Sequence, residues 1–153
     1  MPPVPSPIES FEGEHRFLSN FWPCDLWFEG LIYPSVEHAY VAAKTLDLEL
    51  RKQFTHGSAG TVKRAGRLLQ LRPDWDQVRE SIMLNLLRSK FGRKPLKSML
   101  LKTGERPLIE GNTWHDQIWG SCTCPKHQQE PGMNLLGKLL MDVREEIRDE
   151  IPF

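Results

Sequence analysis

Trp75-Asp76-Gln77-Val78-Arg79-Glu80-Ser81-Ile82-Met83-Leu84-Asn85-Leu86-Leu87-Arg88-Ser89-Lys90-Phe91-Gly92 is the stretch that decides the fold class. Trp75, Val78, Ile82, Leu86 and Phe91 keep to one stripe at spacings near the 3.6-residue helical repeat, and Gly92 follows as a C-cap. Downstream, Pro95 opens a further helix that closes at Thr103-Gly104. A last helix starts near Met133, with Leu136, Leu139, Leu140, Val143 and Ile147 facing inward. Upstream, Ser35, Asp47 and Ser58 are cap residues for segments that reach about Leu46, His56-Gly57 and Leu71, where Pro73 marks a break. Before these, the aromatic and β-branched run from Phe11 to Pro34 contains Leu26-Trp27-Phe28, Glu29-Gly30 and Leu31-Ile32-Tyr33, a hairpin turning at the glycine. Residues 1–10 carry Pro2, Pro3, Pro5 and Pro7 and read as an extended tail. The sum is an α+β fold: one mainly helical domain over residues 11–153 with a short N-terminal β-hairpin.

Residues 105–132 break the pattern. They are poorly periodic, hold Gly111, Gly120, Pro125, Pro131 and Gly132, and make an irregular connection long enough to suggest a functional wall.

The chain has 153 residues, with 20 Lys+Arg against 20 Asp+Glu. No net field draws it to nucleic acid or an anionic membrane. Apolar runs stop well short of a bilayer span, and Met1 to Pro7 lack the basic and apolar regions of a signal peptide. Three cysteines cannot all pair internally, so the expected setting is reduced and cytoplasmic. Five tryptophans hint at stacking surfaces in a pocket.

Glu37 and Lys44, seven residues apart on the first helix, project within about 20° of each other and roughly 10 Å apart along the axis. They are either unrelated charges on a solvated face or partners with room for a ligand between them. The alanine-rich, apolar helix around them makes Lys44 a candidate for a desolvated amine of depressed pKa. Phe17-Leu18-Ser19-Asn20-Phe21-Trp22 is either a turn held by Ser19 and Asn20 or a place where Asn20 holds a ligand beside an aromatic platform. Glu110-Gly111-Asn112-Thr113-Trp114-His115-Asp116-Gln117-Ile118-Trp119-Gly120 reads equally as a site and as a structural loop. The basic clusters Lys63-Arg64-Arg67 and Lys90, Arg93, Lys94 are solvated faces or phosphate contacts.

Cys122-x-Cys124 with His127 falls short of the usual zinc spacing; His15, His38, His56 and His115 are available as extra ligands, but none is a convincing fourth. The expectation is no metal. Nor is there a phosphate-binding G-x-x-x-x-G-K-[ST], a G-x-G-x-x-G, a G-x-S-x-G or an H-E-x-x-H.

Four segments together resemble the YbiA-like family, also called NADAR for NAD and ADP-ribose: Phe17-Leu18-Ser19-Asn20-Phe21; Tyr33-Pro34-Ser35-Val36-Glu37-His38-Ala39-Tyr40 with Lys44; Asp116-Gln117-Ile118-Trp119-Gly120; and Gly132-Met133-Asn134 running on to Arg144. Arg72-Pro73-Asp74-Trp75, Lys90-Phe91 and Leu101-Lys102-Thr103-Gly104 add to the match. The resemblance implies an N-glycosidase without metal or organic cofactor. Its substrate would be a small phosphorylated ribosyl compound, such as a ribosylaminopyrimidine phosphate of riboflavin synthesis, or ADP-ribose on guanine in nucleic acid. It implies Lys44 as a Schiff-base nucleophile, Glu37 and Asp116 as acidic catalytic residues, and Phe17, Ser19, Asn20, Glu110, Trp119, Gly120 and Asn134 around the sugar and base. The competing reading is a noncatalytic module that binds ADP-ribose or a related nucleotide. One departure stands out: between Gly120 and Gly132 the chain carries Ser121 to Pro131, where the family usually has a short Gly/Asp-rich loop.

Overall fold

Three helix starts follow from side chains that accept the unpaired N–H groups of a first turn. Ser35 Oγ accepts from the His38 N–H at the head of α1 (Val36–Ala43), Asp47 from those of Glu49 and Leu50 at α2 (Leu48–Gln53), and Ser58 from that of Thr61 at α3 (Ala59–Gly66). The hairpin lies where the sequence puts it. β1 (Leu26–Phe28) pairs antiparallel with β2 (Leu31–Tyr33), Leu26 opposite Tyr33. Both turn residues, Glu29 at φ 45° and Gly30 at φ 95°, are left-handed, as a two-residue hairpin turn requires. Next come α4 (Trp75–Phe91), α5 (Leu96–Leu101), the two-residue strands β3 (Gly111–Asn112) and β4 (Ser121–Cys122), and α6 (Leu135–Glu150). This computed structural model describes residues 3–150; Met1 and Pro2 of the expected tail and residues 151–153 of the expected domain lie outside the described residues.

Internal contacts divide the α+β chain into two compact units, residues 20–93 and, together, the segments before and after them. In the first unit α1 is central, packing on α2, α3, α4 and both hairpin strands. Gly66 allows α3 to come close: a Cβ there would sit 2.9 Å from Val41 Cγ1. The buried stripe of α4 is rotated from the expected one, running through Trp75, Met83, Leu86, Leu87, Lys90 and Phe91. Val78 and Ile82 are half-buried on its flank, and the helix packs on α1 and β1.

In the second unit α6 buries Leu136, Leu139, Leu140, Val143 and Ile147 as expected, and adds Arg144. That guanidinium donates to Thr103 Oγ1 and to the Arg106 carbonyl, which offsets its burial. The helix starts at Leu135 rather than Met133, since Asn134 is left-handed at φ 51°. Two features carry no sequence period: a 3-10 helix over Gly13–Leu18, and the parallel pairing of β3 with β4. The tail is also shorter than expected. Ile8 is buried and bridges Leu108, with its N–H on the Pro107 carbonyl and its carbonyl receiving the Ile109 N–H.

Candidate active site

Helix α1 is unusual for its length in being enclosed almost all round: from Ser35 to Thr45 every residue is buried except Glu37 and Lys44. Those two share a face, so the helix opens along a single strip. At one end of the strip the Glu37 N–H donates to the Asn20 carbonyl at 3.0 Å, which brings Asn20 beside the first turn. At the other end α1 tightens into i→i+3 bonds, Lys44 N–H to the Val41 carbonyl and Thr45 N–H to the Ala42 carbonyl. The Lys44 carbonyl receives the Arg72 N–H at 2.8 Å. Lys44 therefore ends the helix, two residues before the expected Leu46.

Its amine lies 5.7 Å from the centre of the Tyr40 ring, which in turn packs 5.1 Å from Trp75. Burial lowers the Lys44 pKa below the usual lysine value. Glu37 opposes that change, while Lys63 and Arg67 reinforce it. The cations on α3 and just past its end are thus near enough to act on Lys44. Lys63 also stands over Phe21, 5.6 Å from the ring centre.

Asn20 carries the second anomaly. Among the described residues its Nδ2 has the Met83 sulfur, at 3.7 Å, and its buried Oδ1 has no hydrogen-bond partner. Buried amide oxygens are nearly always satisfied, so one without a partner beside the first turn of α1 suits a ligand hydroxyl or base N–H. His38, by contrast, is fully committed. Its Nε2 donates to the Gly57 carbonyl at 2.8 Å, leaving Nδ1 to accept from the Ser35 hydroxyl at 2.6 Å.

The NADAR domain matches residues 9–148. This chain belongs to the NADAR domain family. At 36% identity over 147 residues the NADAR chain is similar to the N-glycosidase YbiA of Escherichia coli, covering 92% of this chain and 87% of that protein. An N-glycosidase of Nostoc punctiforme is 36% identical over 140 residues, 86% of this chain and 85% of that protein. A riboflavin biosynthesis protein of Vibrio vulnificus is 35% identical over 153 residues, but the NADAR chain spans 40% of its length. The NMR structure of E. coli YbiA matches with a TM-score of 0.77 at 31% identity, over 94% of this chain and 84% of that one.

In the NADAR chain, Asn20, Glu37 and Lys44 thus gather around α1. The other expected site residues fall in the second unit. Phe17 is buried at the end of the 3-10 helix and Ser19 caps it. Asp116 Oδ1 accepts the Ile118 and Trp119 N–H groups, at 3.1 and 2.9 Å, and so shapes the turn carrying Trp119. Asn134 spans two backbone groups, accepting from the Glu110 N–H and donating to the Leu108 carbonyl. Gly120 is buried, and a Cβ there would collide with the Glu110 carbonyl oxygen. The sequence did not single out Asn112, whose amide grips both backbone groups of Asp116. The reason for expecting no metal, a missing fourth ligand, does not hold: His115 Nδ1 lies 3.4 Å from Cys124 Sγ. Among the described residues no helix is long and apolar enough to cross a membrane.

Proposed function

We propose that this chain is an N-glycosidase that hydrolyses the bond between a ribose and a nitrogenous base, with Lys44 as its nucleophile. The observation that carries this reading is the burial of α1, which leaves Glu37 and Lys44 as its two accessible side chains on one face. Relatives named N-glycosidases, aligned over most of their length, support the reaction class.

The chemistry follows from the groups present. Desolvation makes the Lys44 amine easier to hold unprotonated, and that amine attacks the anomeric carbon. The bond to the base breaks, and the base leaves with the proton the amine gives up, carried by Glu37. The sugar ring opens as its oxygen takes a proton and the Lys44–C1′ link becomes an imine. Water adds to the imine, releases the ribose and restores the amine. None of these steps calls for a cofactor. Asn20 Oδ1 is suited to a ribose hydroxyl or a base N–H. Lys63 and Arg67, already acting on Lys44, are suited to a phosphate on the substrate.

A small phosphorylated ribosyl substrate is favoured over a nucleic-acid-linked one, because the chain carries no net charge. In the second unit, Asp116 accepts the Trp119 N–H and so holds the turn that carries that indole. Three unpaired cysteines support a reduced, cytoplasmic setting.

The test is to offer the chain a ribosylaminopyrimidine phosphate and an ADP-ribosylated guanosine oligonucleotide, and to identify products by mass spectrometry. Borohydride added during turnover should trap the sugar on Lys44, located by peptide mapping. Lys44→Arg should abolish trapping and lower turnover by roughly three orders of magnitude, since a guanidinium stays protonated. An adduct on another lysine, or an active Lys44→Ala chain, would remove Lys44 from the mechanism. Binding of either compound without cleavage by the wild-type chain would favour the noncatalytic reading.

A further inference from the structure

His115, Cys122, Cys124 and His127 play no part in the glycosidase reading, yet each turns a ligand atom toward the same point, all four atoms within 4.8 Å of one another. His115 Nδ1 is 3.4 Å from His127 Nδ1, 3.4 Å from Cys124 Sγ and 3.8 Å from Cys122 Sγ; Cys124 Sγ is 3.2 Å from His127 Nδ1. A tetrahedral ion with bonds of about 2.3 Å to sulfur and about 2.05 Å to nitrogen sets its ligands about 3.3 Å apart for two nitrogens and about 3.6 Å for nitrogen and sulfur. The three nitrogen–sulfur separations given bracket the second value, and the nitrogen–nitrogen one lies close to the first.

We propose that His115, Cys122, Cys124 and His127 form a structural zinc site that closes residues 115–127 into a metal-held loop. A hydrogen-bond cluster accounts for the geometry less well. Thiols are weak donors, and two ring nitrogens that face each other share a single proton at best. Lone pairs converging from four side chains are what a cation requires. Two thiolates neutralise a dication, the sulfur ligands select against magnesium and calcium, and a tetrahedral S2N2 set is that of zinc. Four protein ligands leave no open position, so the ion organises the chain and does not activate water.

The backbone around the cluster is built to hold it. Pairing of β3 with β4 sets Cys122 beside Asn112, and the Asn112 amide, gripping Asp116, fixes the loop that carries His115. His115 itself is left-handed at φ 70°, a conformation a histidine adopts at some cost and one that fits a side chain directed to a particular point. On the other side the N–H groups of His127 and Gln128 fold back onto the Cys124 carbonyl, which brings His127 over its own cysteine. The Cys124 N–H points at Cys122 Sγ at 3.4 Å, the kind of donor that stabilises a metal-bound thiolate. Three of the four ligands, Cys122, Cys124 and His127, lie within the segment Ser121 to Pro131, where the chain departs from the loop expected of its family. The inference does not depend on the glycosidase reading.

The full chain, produced with zinc in the medium and desalted, should carry close to one zinc by plasma mass spectrometry. Stripped by a chelator and titrated with Co2+, it should develop intense tetrahedral visible bands and a thiolate charge-transfer band, both lost when Zn2+ is added. Cys122→Ser, Cys124→Ser and His115→Asn should each weaken zinc binding by roughly 10-fold or more. Thiol alkylation of the unmutated chain makes the test independent of whether those variants fold. Zinc should slow labelling of Cys122 and Cys124 by roughly tenfold and leave Cys24 unchanged. Any of four results would overturn the proposal: less than roughly a tenth of a zinc per chain after reloading, weak octahedral cobalt bands, equal labelling with and without zinc, or undiminished binding in the Cys122→Ser/Cys124→Ser double variant.

Discussion

Lys90 gives the sharpest quantitative test of how this chain treats a buried amine. Its side chain is 2% exposed on α4, and burial pushes its pKa down to about 7 from 10.5, against a smaller opposing influence of Cys24. Below pH 7 the amine is protonated in both the folded and unfolded chain, and the cost of burying the charge is fully present. Between about 7 and 10.5 the folded chain has released the proton and the unfolded chain still binds it. Stability therefore rises with pH across that window, at up to about 1.4 kcal/mol for each pH unit and about 5 kcal/mol in all. Lys90→Met retains the bulk of the side chain without the charge. Urea unfolding at a series of pH values should show the wild-type free energy climbing relative to Lys90→Met from near pH 7 upward. The slope of that difference carries the test, because any fixed offset reports packing alone. A difference that stays flat from pH 6 to about 9.5 would refute the reasoning. Turnover should survive in Lys90→Met, since so enclosed an amine cannot touch a ligand, whereas Lys44→Arg should lose turnover and keep its stability.

Three further outcomes follow from the same geometry. Lys63→Gln should move the acid limb of the kcat/KM profile to higher pH and Glu37→Gln to lower pH, because Lys63 lowers the Lys44 pKa and Glu37 raises it; shifts in one common direction would dissociate these groups from the nucleophile. Gly66→Ala should cost about 1–3 kcal/mol in denaturant unfolding through the clash with Val41, with partial recovery in Val41→Ala. Trp119→Ala should lower kcat/KM by an amount equivalent to about 1–3 kcal/mol if its ring stacks on the base, and unchanged kinetics in a folded variant would assign it to packing.

The sequence could be read wherever a local rule had one answer. Ser35, Asp47 and Ser58 each cap a helix because a short side-chain oxygen sits next to an apolar run, and Glu29-Gly30 turns a hairpin because both residues tolerate a left-handed backbone. Reading failed where partners are distant. The Ile8 bridge and the β3–β4 pair each involve one or two residues, too few for any period to appear. On α4 the expected Trp75, Leu86 and Phe91 are buried, but Met83 takes the place of Val78 and Ile82, because neighbouring apolar residues satisfy the helical period equally well. The shared face of Glu37 and Lys44 was legible from helix geometry, but the closure of the rest of α1 was not. The thiols and His127 were visible as a group; which of the four other histidines joins them was not, since His115 does so through a left-handed turn.

The enclosure of α1 also makes it a ruler. Ser35 and the His38 contact with Gly57 pin one end, and the Arg72 N–H on the Lys44 carbonyl pins the other. Inserting or deleting one residue between those pins would turn the amine by about 100° and shift it about 1.5 Å, away from the open strip and into the core. Chains that keep this site must therefore keep the interval from Ser35 to Lys44 free of length changes, whatever they do to its side chains. Length changes have to be accommodated elsewhere in the chain.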